Sequence, residues 1–338
     1  MVTGRFSSRG RRHGAGARHL AEGLALAVLM LTAGQVVSAQ AQISPGSVRI
    51  AVVKSLDLPE YNLALEGFIS TLTETGHETV VLPFLLAHDD SGVAAVWRAV
   101  HDARPDLILA LGTRAAREAS RQEPNTPTVY SMVLIPPESS PDQATFQGQK
   151  NLTGATLNIP LGTQLDEIIR VFPSVRRIGM ISDPDRTRPV VETARQLVAQ
   201  RGLSLQVAWA DSEQMIPEAV RTLRDSIDVL WMIPDETVLT PRSARYIIFE
   251  LIKAGVPVMG LSSAYVKAGA LVALDCDYSD IGRQSGELAV HILAGQSPGR
   301  LPHTAPRVTV RALNLKVREH MRIPMDDRVI KDSNVVIF

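Results

Sequence analysis

The 338-residue chain has a single cysteine, Cys276, so no disulfide can form within it and the fold must be held by its apolar core. Aromatic residues are scarce at 4%, while apolar residues reach 45%, which points to a core of Val, Ile, Leu and Ala and excludes a disordered chain. Neither sign of charge prevails: 35 Lys and Arg balance 35 Asp and Glu, so no general attraction to nucleic acid or anionic lipid follows. Histidines occur without H-x-x-x-H or H-E-x-x-H spacing, and Walker and G-x-G-x-x-G signatures are missing, so neither a metal nor a nucleotide cofactor is expected. The segment "GLSSA" ends in Ala264 where a nucleophile elbow needs glycine, and no histidine is placed by sequence to partner Ser262. An exported hydrolase using Ser262 or Cys276 therefore has little behind it.

The first forty residues differ from the rest. "GRFSSRGRRHGAGARH" is basic without an acid, "LAEGLALAVLMLTAGQVV" is mainly apolar, and small residues of the A-x-A type follow at Ala39 and Ala41. That is the layout of a secretory signal peptide over residues 1–41, leaving a mature chain of 338 − 41 = 297 residues and an exported, periplasmic location. Glu22, Gly23 and Gly34 interrupt the apolar stretch and argue against an uncut membrane anchor. No cysteine near the cleavage region offers a lipid attachment point.

From Ser47 onward short apolar runs alternate with amphipathic stretches, the pattern of βαβ units and a parallel sheet. One series runs from "VRIAVVKS" through "DLILALGT" to "TVYSMVL". A second runs from "RRIGMISD" through "DVLWMIPD" and "PVMGLS" to "SSAYVKAGALVALDCDY", read as one strand with polar ends. Gly202 and Gly255 stand where helix C-termini favour positive φ. The expectation is an α/β protein of two doubly wound parallel-sheet lobes joined by a multi-stranded hinge. Its N-terminal lobe covers 47–158 and its C-terminal lobe 159–276, and residues 277–338 supply a crossover helix and strand that complete both lobes, then a C-terminal tail. "PPESSPDQATFQGQKN" reads as a long surface loop.

The ordered segments "LALGTRAAREA" (Leu109 to Ala119), "NLTGATLNIPLGTQLDEIIRVFPSVRRIGMISDPD" (Asn151 to Asp185), "VKAGALVALDCDYSDIGRQSGELAVHILAGQSPGRLP" (Val266 to Pro302) and "ALNLKVREHMRIP" (Ala312 to Pro324) resemble the ABC-type transporter solute-binding proteins associated with tryptophan, tyrosine and related amino acids. The resemblance implies the type I periplasmic binding protein fold, a monomer without enzymatic activity, a small polar ligand such as an amino acid, and an ABC permease as membrane partner. A periplasmic sensory module for a membrane kinase uses the same fold and is the alternative. Two departures touch the ligand loops: Leu134-Ile135-Pro136 stands where the family commonly has an aspartate-proline pair, and Pro234-Asp235-Glu236-Thr237 is more acidic than the family's turn.

In such folds ligands meet loops at the carboxyl ends of strands. In the first lobe these loops offer Ser55, Asp57 and Tyr61 after the first strand, and Gly112, Thr113, Arg114 and Ala115 where "LGTRAA" turns from strand into helix with its amides directed outward. Thr113 is equally an N-cap, and Tyr61 equally a helix-packing residue. The second lobe offers Ser182, Asp183, Asp185 and Thr187 in "SDPDRTRP", Asp235 and Thr237 in "IPDETVLTP", and Ser262, Ser263 and Tyr265 after "PVMGL". Asp277, in the polar exit Asp275 to Tyr278, borders the cleft or hinge. The bland reading of the aspartate loops is ordinary turns and caps.

Overall fold

Strands β1 (Val48–Lys54), β3 (Leu107–Leu111), β4 (Thr128–Val133) and β5 (Leu152–Thr156) are nearly continuous apolar or small-residue runs, as strands covered on both faces require. With β2 (Thr79–Leu85) they form a parallel sheet in the order β2-β1-β3-β4-β5. The computed structural model describes residues 46–134, 146 and 149–337. The expected signal peptide, Ile135 and Pro136, and most of the expected proline-rich surface loop after them lie outside the described residues. Helices α1 (Pro59–Glu74), α2 (Asp90–Asp102) and α3 (Thr113–Gln122) cover this sheet.

The second sheet has seven strands in the order β12-β11-β10-β9-β8-β6-β7. Its parallel part comprises β6 (Arg177–Ser182), β7 (Ser204–Trp209), β8 (Val229–Trp231), β9 (Val258–Gly260) and β10 (Val272–Cys276). Helices α4 (Leu161–Val171), α5 (Arg188–Gln200), α6 (Ile216–Arg224) and α7 (Pro241–Lys253) pack on its two faces. The stretch read as a single strand divides in two: a short helix, α8 (Ser263–Lys267), precedes β10, and Gly269 at φ 119° makes the turn between them.

After β10 the chain returns to the first sheet as α9 (Tyr278–Leu293), which lies against α1, β4 and β5. Gly282 and Gly286 on α9 meet Ala64 and Thr71 on α1, Gly67 of α1 meets Ser279 and Arg283 on α9, and a Cβ at Gly282 would stand 1.9 Å from the Ala64 carbonyl oxygen. Only glycine permits so close an approach. The strand that follows, β11 (Thr309–Asn314), enters the second sheet antiparallel to β10. The tail is also structured. It forms α10 (Leu315–Met321), α11 (Asp327–Lys331) and the edge strand β12 (Val335–Ile337), features too short for periodicity to reveal.

The chain thus passes between the sheets three times: at 157–160, at 276–278, and at 305–308 after the isolated bridge of Thr304 to Ala155. In a parallel sheet all carboxyl ends lie on one edge, so the two lobes turn their loop-bearing edges toward these passages.

Candidate functional site

A cavity of about 650 Å³ lies at the three passages. All three contribute to its wall, through Leu157 to Pro160, through Cys276 and Tyr278, and through His303 to Ala305. Leu134 adds the end of β4, where a register shift and Met132 at φ 61° turn the strand. From the second lobe come Leu161 and Gln164 of α4, Val190, Pro234, and the β9–α8 turn from Gly260 to Ser262 with Tyr265. Most of this wall is apolar, so an apolar ligand body would gain roughly 25 cal/mol per Å² removed from water.

Polar groups are few and ordered. Gln164 donates from Nε2 to the Ile159 carbonyl at 2.8 Å and accepts from Trp231 Nε1 at 2.8 Å, which fixes its amide against the fully buried indole. Asp275 accepts four hydrogen bonds, from the Ser263 amide (2.9 Å), the Ser263 hydroxyl (2.7 Å), its neighbour's amide at Cys276 (2.9 Å) and the Tyr278 hydroxyl (2.7 Å). Burial, reinforced by the Asp275 charge, pushes the Cys276 thiol up to about 12 and raises Tyr278 as well. The His303 ring stacks on Tyr130, with Nδ1 2.7 Å from the phenol oxygen, and burial lowers its pKa. Helix α4 begins at the wall with Pro160 as N-cap and no side-chain cap, leaving its first amides open to an acceptor.

The expected site residues separate into three groups. Ser262 and Tyr265 line the cavity, and Ser263 lies directly behind it as the partner of Asp275. Asp277 instead caps α9, accepting from the Asp280 amide at 3.0 Å, and the neighbouring Asp275 is the aspartate on the wall. The sequence reading placed Asp275 to Tyr278 at the cleft or hinge but missed Asn158, His303 and Thr304, because residues in passages between lobes carry no periodic signature, and Gln164, which reads as an ordinary helix residue of α4.

The first-lobe set gathers at the start of α3, on the same strand-end edge. Ser55 Oγ accepts the Ala115 amide at 2.9 Å, and the Tyr61 hydroxyl bonds to Ser55. Gly112, at φ 89°, is the N-cap in place of Thr113, and a Cβ there would stand 2.1 Å from the Tyr61 hydroxyl. This helix start is therefore partly satisfied by its own lobe. Arg114 reaches toward the His88 carbonyl at 3.4 Å, and Asp57 is exposed beside Lys54 at 3.5 Å.

The second-lobe set forms a closed network. Asp235 accepts the amides of Asp183 (2.8 Å), Thr237 (3.0 Å) and Val238 (3.0 Å) and the Thr187 hydroxyl (2.7 Å). Asp183 accepts the Asp185 amide (2.9 Å) and the Thr237 hydroxyl (2.7 Å), while Ser182 and Thr187 share a hydroxyl contact. Burial pushes the Asp183 carboxyl up, but these donors and Arg186 outweigh it and hold it below the usual range. The two buried aspartates staple neighbouring loops together, and only Pro234 of that region reaches the cavity.

A two-sheet frame thus holds an apolar, sparsely polar cavity at three interlobe passages, and the sequence comparison names the family. The family described as ABC transporter substrate binding protein matches residues 49–337. The chain belongs to that family. Its members bind substrate rather than transform it, and this member has the type I periplasmic binding protein fold. Among curated relatives, a tyrosine-binding protein of Clostridioides difficile (strain R20291) is 22% identical over 289 residues, covering 82% of this chain and 83% of the relative. Among solved structures, a substrate binding protein with adhesive properties from Clostridium difficile, in a ligand-free, open form, superposes with a TM-score of 0.71 at 18% identity, covering 86% of this chain and 99% of the other. An ABC domain in complex with L-Trp from Streptococcus pneumonia gives 0.63 at 21% identity, with coverage of 86% and 100%.

Proposed function

We propose that this substrate-binding protein captures an amino acid, or a similarly small molecule with an apolar body and polar head, in the cavity at the interlobe passages, and delivers it to an ABC permease after export to the periplasm. The observation that carries the reading is the wall itself, to which both lobes and all three passages contribute. A solute held there contacts both lobes, and its differential affinity for the closed arrangement shifts the population toward it. The apolar lining suits the body of a hydrophobic or aromatic amino acid, and the uncapped start of α4 is complementary to a carboxylate. The names of the tyrosine-binding relative and the L-Trp complex are consistent with that class. Export rests on the signal-like first 41 residues, and the permease on the family.

The test is a thermal-shift screen of residues 42–338 against the twenty amino acids and a panel of sugars, nucleosides and small anions, followed by calorimetry of each hit. Ligand at a thousand times its Kd adds about 4 kcal/mol to stability, a shift well above noise. Stabilisation by one amino-acid class, weakened by substitution at Gln164 or Ser262, is the expected result. Stabilisation by sugars or nucleosides alone would reject the amino-acid assignment.

A further inference from the structure

Most buried acids among the described residues have a basic partner. Glu167 pairs with Arg311, Asp280 with Arg307 at 2.9 Å and Asp183 with Arg186 at 3.8 Å, while Glu123 meets the His101 ring at 3.0 Å. Asp235 and Asp275 are the exceptions among the described residues, each held by hydroxyl and amide donors with no Lys, Arg or His within ion-pair distance. Asp235 sits within its loop network, away from the cavity wall. Asp275 is on that wall, 7% exposed, and among the described residues no other carboxylate and no Lys or Arg lines the cavity.

Each Asp275 oxygen accepts one backbone amide, Ser263 N–H on one and Cys276 N–H on the other, so the group is hydrogen-bonded as an anion. A carboxylate buried without a counter-cation is costly, and chains normally supply the partner themselves. Here the partner is missing at the place where solute enters. Of the four donors, the Tyr278 hydroxyl is the one from the first-lobe helix α9, and it spans the passage between the lobes to reach the oxygen on β10.

Building on the reading that this cavity is the solute site, we propose that Asp275 is its specificity-determining anchor: it pairs with an ammonium group of the solute, which takes the oxygen now held by the Tyr278 hydroxyl. The solute class is thereby narrowed to amphipathic ammonium compounds, and acids without an amine are excluded.

Calorimetry on the exported chain, residues 42–338, tests this with two matched sets: L-tryptophan, tryptamine and 3-(indol-3-yl)propanoate, and L-tyrosine, tyramine and 3-(4-hydroxyphenyl)propanoate. Removing the ammonium should weaken binding about tenfold to a hundredfold, the range for a charge-assisted hydrogen bond, while the amines retain measurable affinity. In Asp275→Asn the preference for amine over deaminated analogue should collapse, whereas a merely structural role would weaken both alike. Should that variant fail to fold, the parent protein's ranking of the six compounds decides alone. Deaminated analogues binding as tightly as their amines would overturn the anchor while leaving the cavity as the solute site. Silence from all six would overturn the anchor as an aromatic-ammonium site and reject the aromatic amino acids as solutes.

Discussion

The contact between α1 and α9 makes a prediction whose sign distinguishes two physical effects. Replacing Gly282 by Ala places a Cβ 1.9 Å from the Ala64 carbonyl oxygen and 2.7 Å from its carbon, atoms of a helix backbone that cannot rotate away. Since real Cβ contacts are essentially never under 3.0 Å, the helices must part by at least about 3.0 − 1.9 = 1.1 Å, which loosens the packing of Phe68 and Ile281 behind them. Overpacking of this kind costs up to about 3 kcal/mol or more. Against it stands a gain of about 1 kcal/mol from replacing glycine in a helix interior. The net is a loss of about 2 kcal/mol, a fall of about 4 °C in Tm for a chain of this size. Gly162, in the first turn of α4 with nothing within 4 Å of an added Cβ, is the control: Gly162→Ala removes glycine entropy alone and should raise Tm by about 1–2 °C. Differential scanning calorimetry of the two variants beside the parent is the assay. Gly282→Ala melting at or above the parent would refute the close-contact argument, because helix propensity would then be the only effect at work.

Three further outcomes follow from buried or charged groups. Cys276, with its thiol at about 12, should be inert to Ellman's reagent at pH 8 in the native state, where only about one molecule in ten thousand carries a thiolate, and should react at once in guanidinium. Glu167→Ala leaves Arg311 buried without its partner and should cost about 3–5 kcal/mol in urea unfolding, whereas the double change Glu167→Leu with Arg311→Met should cost less than the single one. Asp228 accepts the Arg176 and Arg177 amides and the Arg177 guanidinium at 2.7 Å, and although burial pushes its carboxyl up, these partners hold it below the usual range. A depressed native pKa stabilises above the unfolded value of about 3.9 and loses that stability as pH falls through the native value, so the stability gap between parent and Asp228→Asn should narrow below about pH 4 in a pH series of unfolding curves.

Much of the fold was legible because the signals are local. The apolar runs of β1, β3 and β4 could only be strands covered on both faces, and Gly202 and Gly255 take positive φ at helix ends, at 68° and 79°, where the side-chain-free residue is needed. The family was legible from the order of segments. The site was less so. An aspartate in a loop reads the same whether it faces ligand or another loop; Asp235 turned out to accept the Asp183 amide, and Asp183 the Asp185 amide and the Thr237 hydroxyl. Ser55 and Tyr61, expected to face ligand, come together with Gly112 and Ala115 as groups that satisfy the helix start from within the lobe.

By itself the sequence determined the alternation of strand and helix, and with it two parallel sheets whose strand ends carry the chemistry, because period and composition act over a few residues. Only the tertiary structure decided that β11 runs antiparallel into the second sheet, and that Leu157, Asp275, Tyr278 and His303 share one cavity. Those residues are brought together by three separate passages of the chain, and closure over such distances is set by packing of the whole core, on which no local pattern reports.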